Sequence, residues 1–222
     1  MSVFQYSCIE GNKPDLRQAE AVLRKRPDVI LFEAPNNTGD PGLAYNAYPP
    51  THKPLAEVRK HQTMLQKAAR EAPWVVSDIE VYENIKTLWR EGHDVKLYHI
   101  DAPSELLRET ILHGWNNIER PRRRGVHFPW WVYIYLRERI MANTVERIFK
   151  NKRDKDQVVL AFVQKFHWQH VQFLLTHPTK RAVFDYYFGA FDGLTEATIS
   201  SKVTQVNNPI LLKYWQKVSD FR

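Results

Sequence analysis

Cysteine is nearly absent from this chain: one residue, Cys8, in 222. A lone cysteine forms no internal disulfide and no thiolate metal cluster, so nothing in the sequence calls for an oxidising compartment, and Cys8 reads as a small buried hydrophobe. Long apolar runs are absent too. No stretch approaches the roughly 18 uncharged apolar residues that a membrane-spanning helix needs. The opening "MSVFQYSCIEGNK" has no basic segment followed by an apolar one, so a secretory leader is not expected and a cytoplasmic protein is. Glycine is sparse at eight residues, and neither a phosphate-cradling loop nor a dinucleotide fingerprint occurs.

What is present suits a packed core. Hydrophobic residues make up 43% and aromatics 13%, with seven Trp, ten Tyr and eleven Phe. That is enough apolar area to stabilise a fold without crosslinks, and the length fits one α/β domain over 1–222. The formal charge of +7 favours anionic partners. Its densest basic groups are "RKR" at 24–26, "RPRRR" at 120–124 and "KNKRDK" at 150–155.

Short apolar runs alternate with amphipathic segments. "VFQYSCI" (3–9) reads as a strand. "LRQAEAVLRKR" (16–26) reads as a helix with Asp15 and Gln18 in capping-box positions and Pro27 behind it. "DVILFEA" (28–34) is a continuous apolar run of the kind buried on both faces of a parallel sheet. The Pro, Gly and Asn of residues 35–54 make a long loop beyond that strand, where open α/β sheets bind ligands. A helix over 55–70, a strand over "WVVSDI" (74–79), a helix over 82–92 ended by Gly92, a strand over 94–101 and a helix over 104–115 capped by Ser104 are then expected. Residues 116–129 are irregular, 130–151 form a long amphipathic helix, and "QVVLAFVQKF" (157–166) is a strand running straight to His167. The repeated βα pattern predicts an α/β fold, a mainly parallel sheet flanked by helices. Residues 176–222 form an aromatic-rich extension that packs on the domain or makes an interface, a homodimer included, and "NPILLKYWQKVSDF" within it reads as a helix.

Several residues stand where chemistry is done. Glu138 falls on the apolar stripe of the long helix, where a buried carboxylate must find a cation, hydrogen-bond donors or a metal. Glu10, Glu33 and His167 are expected at the carboxyl ends of strands, converging on one rim, with Arg137 and Glu138 reaching it from the helix. Two carboxylates and a histidine suit either a divalent metal with an open position for water or a carboxylate-oriented imidazole base. The site expected is therefore Glu33, His167 and Glu138 as catalytic groups, Arg137 and Lys165 as substrate-binding cations, and Glu10, Glu33 and His167 as ligands for Zn²⁺, Mn²⁺ or Fe²⁺. His170 is a further ligand if its stretch is helical.

The phrases "SCIE" at 7–10, "RPDVILFE" at 26–33, the helix set Arg137, Glu138, Met141, Ala142 and Asn143, and "QKFH" at 164–167 together carry a family resemblance. In order and spacing, over about residues 3–175, they resemble the superfamily of erythromycin esterases, haem-binding ChaN proteins, TraB proteins and Tiki metalloproteases. Ser7 and Gln164 stand where that family's two Gly-x-x-His motifs have glycine, and Glu10 stands in place of the first histidine. The resemblance implies a diverged hydrolase acting on a small-molecule or peptide substrate. The rival reading is a non-catalytic module that binds nucleic acid through Arg122, Arg123 and Arg124, with Trp115, Phe128, Trp130 and Trp131 as stacking surfaces.

Overall fold

A computed structural model of the chain describes residues 2–6, 9–10, 13–14, 16–35, 75–108, 128–150, 157–176 and 208–219. Its elements in chain order are β1 (Ser2–Tyr6), β2 (Ile9–Glu10), β3 (Lys13–Pro14), α1 (Leu16–Ala19), α2 (Ala21–Lys25), β4 (Val29–Pro35), α3 (Val75–Arg90), β5 (Lys96–Asp101), α4 (Phe128–Lys150), β6 (Val158–Phe162), α5 (Lys165–Thr176) and α6 (Pro209–Ser219). Residues 104–108 are also helical. The main sheet has the order β1-β6-β4-β5 and is parallel throughout, which makes this an α/β fold. Among the described residues no helix is long and apolar enough to cross a membrane.

The chain divides into two compact units. One comprises Met1–Glu33, Tyr45–His99 and Lys152–Trp168, the other Ala34–Ala44, Ile100–Asn151 and Gln169–Arg222.

In the first unit β4 and β6 run side by side in the register Val29↔Val159 to Phe32↔Phe162. Three consecutive residues of each, Val29, Ile30 and Leu31 against Val159, Leu160 and Ala161, have no exposed surface. Consecutive burial means that both faces of these strands are covered, as their unbroken apolar runs predict. At the end where β4 and β5 begin, Asp28 ties the sheet together. Its N–H donates to the Val158 carbonyl at 2.9 Å, its own carbonyl accepts from the Lys96 N–H at 2.9 Å, and its carboxylate accepts from the Val158 N–H at 2.8 Å. At the opposite end Tyr6, Phe162, Phe32 and Tyr82 form a row of ring contacts, with centroid distances of 5.6, 6.3 and 4.9 Å. The row ends in a buried hydrogen bond between the Tyr82 hydroxyl and His99 Nε2, 2.9 Å long.

Helix α3 differs from expectation. Residues 74–79 were expected as a strand and 82–92 as a separate helix, whereas one helix runs over Val75–Arg90. Ser77, Val81, Tyr82, Asn84, Ile85, Leu88 and Trp89 are its buried positions among the described side chains and lie on one helical face, so the helical period of the second segment reaches back through the first. A short apolar run such as "WVV" fits either period by itself. The helix packs on α1 and α2, and Asn84 donates its amide to the Ala19 carbonyl at 3.0 Å, where the helix expected over 16–26 is interrupted at Glu20. Gly92 lies just beyond α3 with φ +79°, the left-handed conformation expected of a residue that ends a helix.

Two further corrections bear on function. The strand expected over 157–166 stops at Phe162, and α5 begins at Lys165, so His167 lies in the first turn of a helix. Trp168, Val171 and Leu174 are buried at helical spacing, which overrides the apolar continuity of the preceding run. The first strand likewise stops at Tyr6. Glu10 belongs to a separate two-residue strand, paired antiparallel with Lys13, and so does not close a strand of the parallel sheet.

In the second unit α6 packs against α4, with the Tyr135 and Trp215 rings 6.1 Å apart and Leu211 and Tyr214 fully buried. The Asn208 side-chain oxygen caps α6 by accepting from the N–H groups of Ile210 and Leu211 at 3.0 and 3.1 Å. Glu105 receives both Lys213 Nζ, at 2.9 Å, and the Tyr214 hydroxyl. The first bonds of residues 104–108 are accepted by the Pro103 carbonyl, one residue ahead of the expected Ser104 cap. Asp15, the loop at 36–54, the helix at 55–70, residues 109–127 and the aromatic part of the extension at 177–207 lie outside the described residues.

The Asp28 bridge yields a test. Asp28→Ala leaves the Val158 N–H without its side-chain acceptor and is expected to cost about 1–2 kcal/mol, while Asp28→Asn keeps an acceptor and costs less. Guanidinium unfolding midpoints measure both, and an Asn variant as unstable as the Ala variant would contradict the hydrogen-bond account.

Candidate functional site

Strand β4 carries its apolar run to Glu33, near its carboxyl end, and β6 ends beside it. The Gln164 N–H, just beyond β6, donates to Glu33 Oε2 at 2.7 Å. The other carboxylate oxygen, Oε1, lies 3.9 Å from His167 Nε2. That separation is an ion-pair distance and too long for a hydrogen bond. Both side chains are largely buried, so the pair sits in a setting where charge is weakly screened. The expectation that Glu33 and His167 meet at the carboxyl end of the sheet holds, with the histidine supplied by a helix instead of a strand.

A third group joins them that sequence reasoning missed. Asp78, in the first turn of α3, has its carboxyl pushed up from 3.8 to about 7, first by burial and second by the negative charge of Glu33. It retains some surface, yet the protein around it is dense enough to disfavour the charged form. Its neighbour Ser77 is fully buried, and its hydroxyl finds no hydrogen-bond partner among the described residues. Near neutral pH the first unit therefore holds a partly protonated acid, an anchored carboxylate and an imidazole. Once 74–79 is taken as a strand, Asp78 becomes one more surface-alternating acid; only the helical period through 77, 81, 82 and 85 places it on the inner side.

The second unit contains its own acid clusters. Arg137 is engaged with Asp101, at the end of β5: Nε donates to Oδ1 at 3.1 Å and Nη2 to Oδ2 at 2.6 Å, a bidentate fork. Asp101 is buried and also accepts the Ala102 N–H at 2.7 Å. The guanidinium expected to bind substrate thus serves as the counter-ion of a buried acid. Glu138, fully buried, meets His170 Nδ1 at 3.0 Å through Oε1. This is the partner that the position of Glu138 on an apolar stripe demanded. Asp101 closes its strand just as Glu33 nearly closes "VILFEAP", a parallel in layout that the sequence displays.

Of the remaining candidates, Lys165 is exposed at the start of α5. The side chain of Glu10 lies outside the description, as do Arg122, Arg123 and Arg124. Among the described residues no group of three or more His, Cys, Asp or Glu is arranged to hold a metal ion. Of the three ligands expected for a divalent metal, Glu33 and His167 give two donors, with one carboxylate oxygen already bound by an N–H, and the side chain of the third, Glu10, is not described. No family model, curated protein or solved structure matches the chain.

The raised carboxyl makes stability depend on pH. Asp78 binds its proton more tightly in the folded than in the unfolded state, so its contribution is fully present below about pH 3.8 and is lost as pH rises through about 7. The full linkage is roughly 2–4 kcal/mol for a group that keeps part of its surface. Asp78→Asn is expected to match the wild type near pH 4 and to exceed it in unfolding midpoint at pH 8, as urea titrations at the two pH values would measure. Equal midpoints at both would mean that Asp78 ionises freely in the fold.

Proposed function

We propose that this protein is a hydrolase-like enzyme whose reaction centre is Glu33, His167 and Asp78, working by proton transfer. The observation that carries the reading is the placement of Glu33. Its carboxylate is fixed by the Gln164 N–H and faces His167 Nε2 at 3.9 Å, where the carboxyl ends of two buried parallel strands lie side by side. Ligands of open α/β sheets bind outside this edge. Resemblance to the erythromycin esterase superfamily supports hydrolysis as the reaction class.

The roles follow from the environments. Glu33 and His167 form the basic half: His167 takes a proton from a water molecule as its oxygen attacks an acyl carbon, and the Glu33 carboxylate balances the positive charge on the ring. Asp78 forms the acidic half. With its carboxyl held near 7 it is partly protonated at neutral pH, and the protonated form delivers its proton to the departing oxygen or nitrogen. A carboxyl raised by burial beside a second acid is an arrangement that lets one site supply acid and base together. The negative charge of Glu33 favours neutral or cationic acyl substrates over anionic ones.

A panel of chromogenic esters, thioesters and amides tests this. The wild type is expected to turn over at least one class, and Glu33→Gln and His167→Ala each lower kcat/KM by about 10²- to 10⁴-fold with circular dichroism unchanged. Folded variants with undiminished turnover, or a wild type inert across the panel, would overturn the proposal.

A further inference from the structure

The first unit carries a surface that the reaction centre does not use. Among the described residues five large apolar side chains are exposed, Val3, Phe4, Leu16, Leu23 and Leu175, and four of the five fall on β1 and on the helix pair α1 and α2. Apolar side chains scattered singly over a surface need no explanation, whereas a group rimmed by charge marks a contact. Residues 16–26 hold four basic side chains, Arg17, Arg24, Lys25 and Arg26, and one acid, Glu20. Leu16, Arg17, Leu23, Arg24 and Lys25 are all exposed, and Arg26 is paired with Glu91 at 2.7 Å.

Local structure brings these side chains to one side. The Glu20 N–H donates to the Leu16 carbonyl at 3.3 Å and the Arg24 N–H to the Glu20 carbonyl at 3.1 Å, so the helical register continues from α1 into α2. Leu16 and Leu23 are therefore about two turns apart on one stripe, with Arg17 and Arg24 about two turns apart beside it. Ala19, Ala21 and Val22 are fully buried, and both helices pack on α3, which holds the two leucines outward. The edge strand β1 joins the same surface, because Lys25 Nζ at the end of α2 lies 4.4 Å from the centre of the Phe4 ring. Val3, next to Phe4 on the strand, faces the other way.

We propose that the outer face of α1 and α2, together with Phe4, is a peripheral docking surface for a bilayer of anionic phospholipids. Charge complementarity selects this occupant. Arg17, Arg24 and Lys25 reach the headgroup phosphates and carboxylates while Leu16, Leu23 and Phe4 enter the boundary of the acyl chains. The outer face of a helix is convex, and a flat, laterally fluid surface accommodates it without a matching groove. A second copy of the chain pairing through this face about a two-fold axis would set the same cations against one another. Nucleic acid makes no use of the leucines, and the aromatic ring of this surface already has a cation on its face where a base would stack. The formal charge of +7 draws the whole chain toward the same kind of surface.

Cosedimentation of the full chain with vesicles tests this. The wild type is expected to bind vesicles of phosphatidylcholine mixed with phosphatidylserine at about 0.1 M salt and to bind phosphatidylcholine vesicles far more weakly. Binding is expected to fall as salt rises to about 1 M, where the screening length shrinks from about 10 Å to about 3 Å. Arg24→Gln and Lys25→Gln should each lower the partition coefficient about fivefold, the effect of one basic side chain near an anionic surface. Leu16→Ser combined with Leu23→Ser should lower it at least about fivefold. Leu175→Ser and Arg108→Gln, exposed positions of the second unit, should leave it unchanged. A wild type that stays in solution, that sediments equally with both kinds of vesicle, or whose binding survives the leucine substitutions would overturn the proposal, and the first two results need no variant to fold. A dimer in sedimentation velocity that the leucine substitutions dissociate, without vesicle binding, would assign the face to a second copy. Capture of a single-stranded oligonucleotide that Arg24→Gln weakens, again without vesicle binding, would assign it to nucleic acid; either result overturns the lipid reading.

Discussion

The pairing of β4 with β6 is the constraint on which the rest depends. Both strands are apolar without interruption and covered on both faces, so neither can carry a charge until its run ends. Polar chemistry is thereby confined to the two ends of the pair. At one end Asp28 satisfies the first N–H groups of the sheet; at the other the chain releases Glu33 and Gln164 together, and the N–H of one binds the carboxylate of the other. The same rule that makes the core stable decides where the acid must stand.

Four acids among the described residues answer the cost of losing water in different ways. Glu33 takes a backbone N–H and a nearby imidazole, Asp101 takes an arginine fork and a backbone N–H, and Glu138 takes an imidazole. Asp78 answers by keeping its proton, because burial and the charge of Glu33 both oppose ionisation. These solutions are unequal in chemical consequence. A guanidinium fork gives its acid a fixed charge partner, while the raised carboxyl of Asp78 can exchange its proton near neutrality.

Much of this architecture was legible in the residues. β4, β5 and the long helix α4 followed from apolar runs and from the 3.6-residue period, and the need for a partner at Glu138 followed from its place on the stripe. Two of the misreadings share one cause. "WVVSDI" and the end of "QVVLAFVQKF" are short apolar runs at a junction with a helix, and a run of three or four residues fits both periods until its neighbours are counted. Each error hid a functional detail: the first concealed Asp78, the second moved His167 from a strand to a helix. The fork between Arg137 and Asp101 spans 36 positions, and no local spacing rule reaches that far.

The central claim is that Glu33 and Asp78 are electrostatically coupled at the carboxyl end of β4. Titration of the side-chain carboxyl ¹³C signals in the folded protein measures it most directly. The account predicts that Asp78 titrates at about 7 and that its midpoint falls, though not to 3.8, when Glu33 is replaced by Gln, because burial is the larger cause and the Glu33 charge the smaller. An Asp78 that titrates near 3.8 in the wild type, or one that does not move in Glu33→Gln, would contradict it.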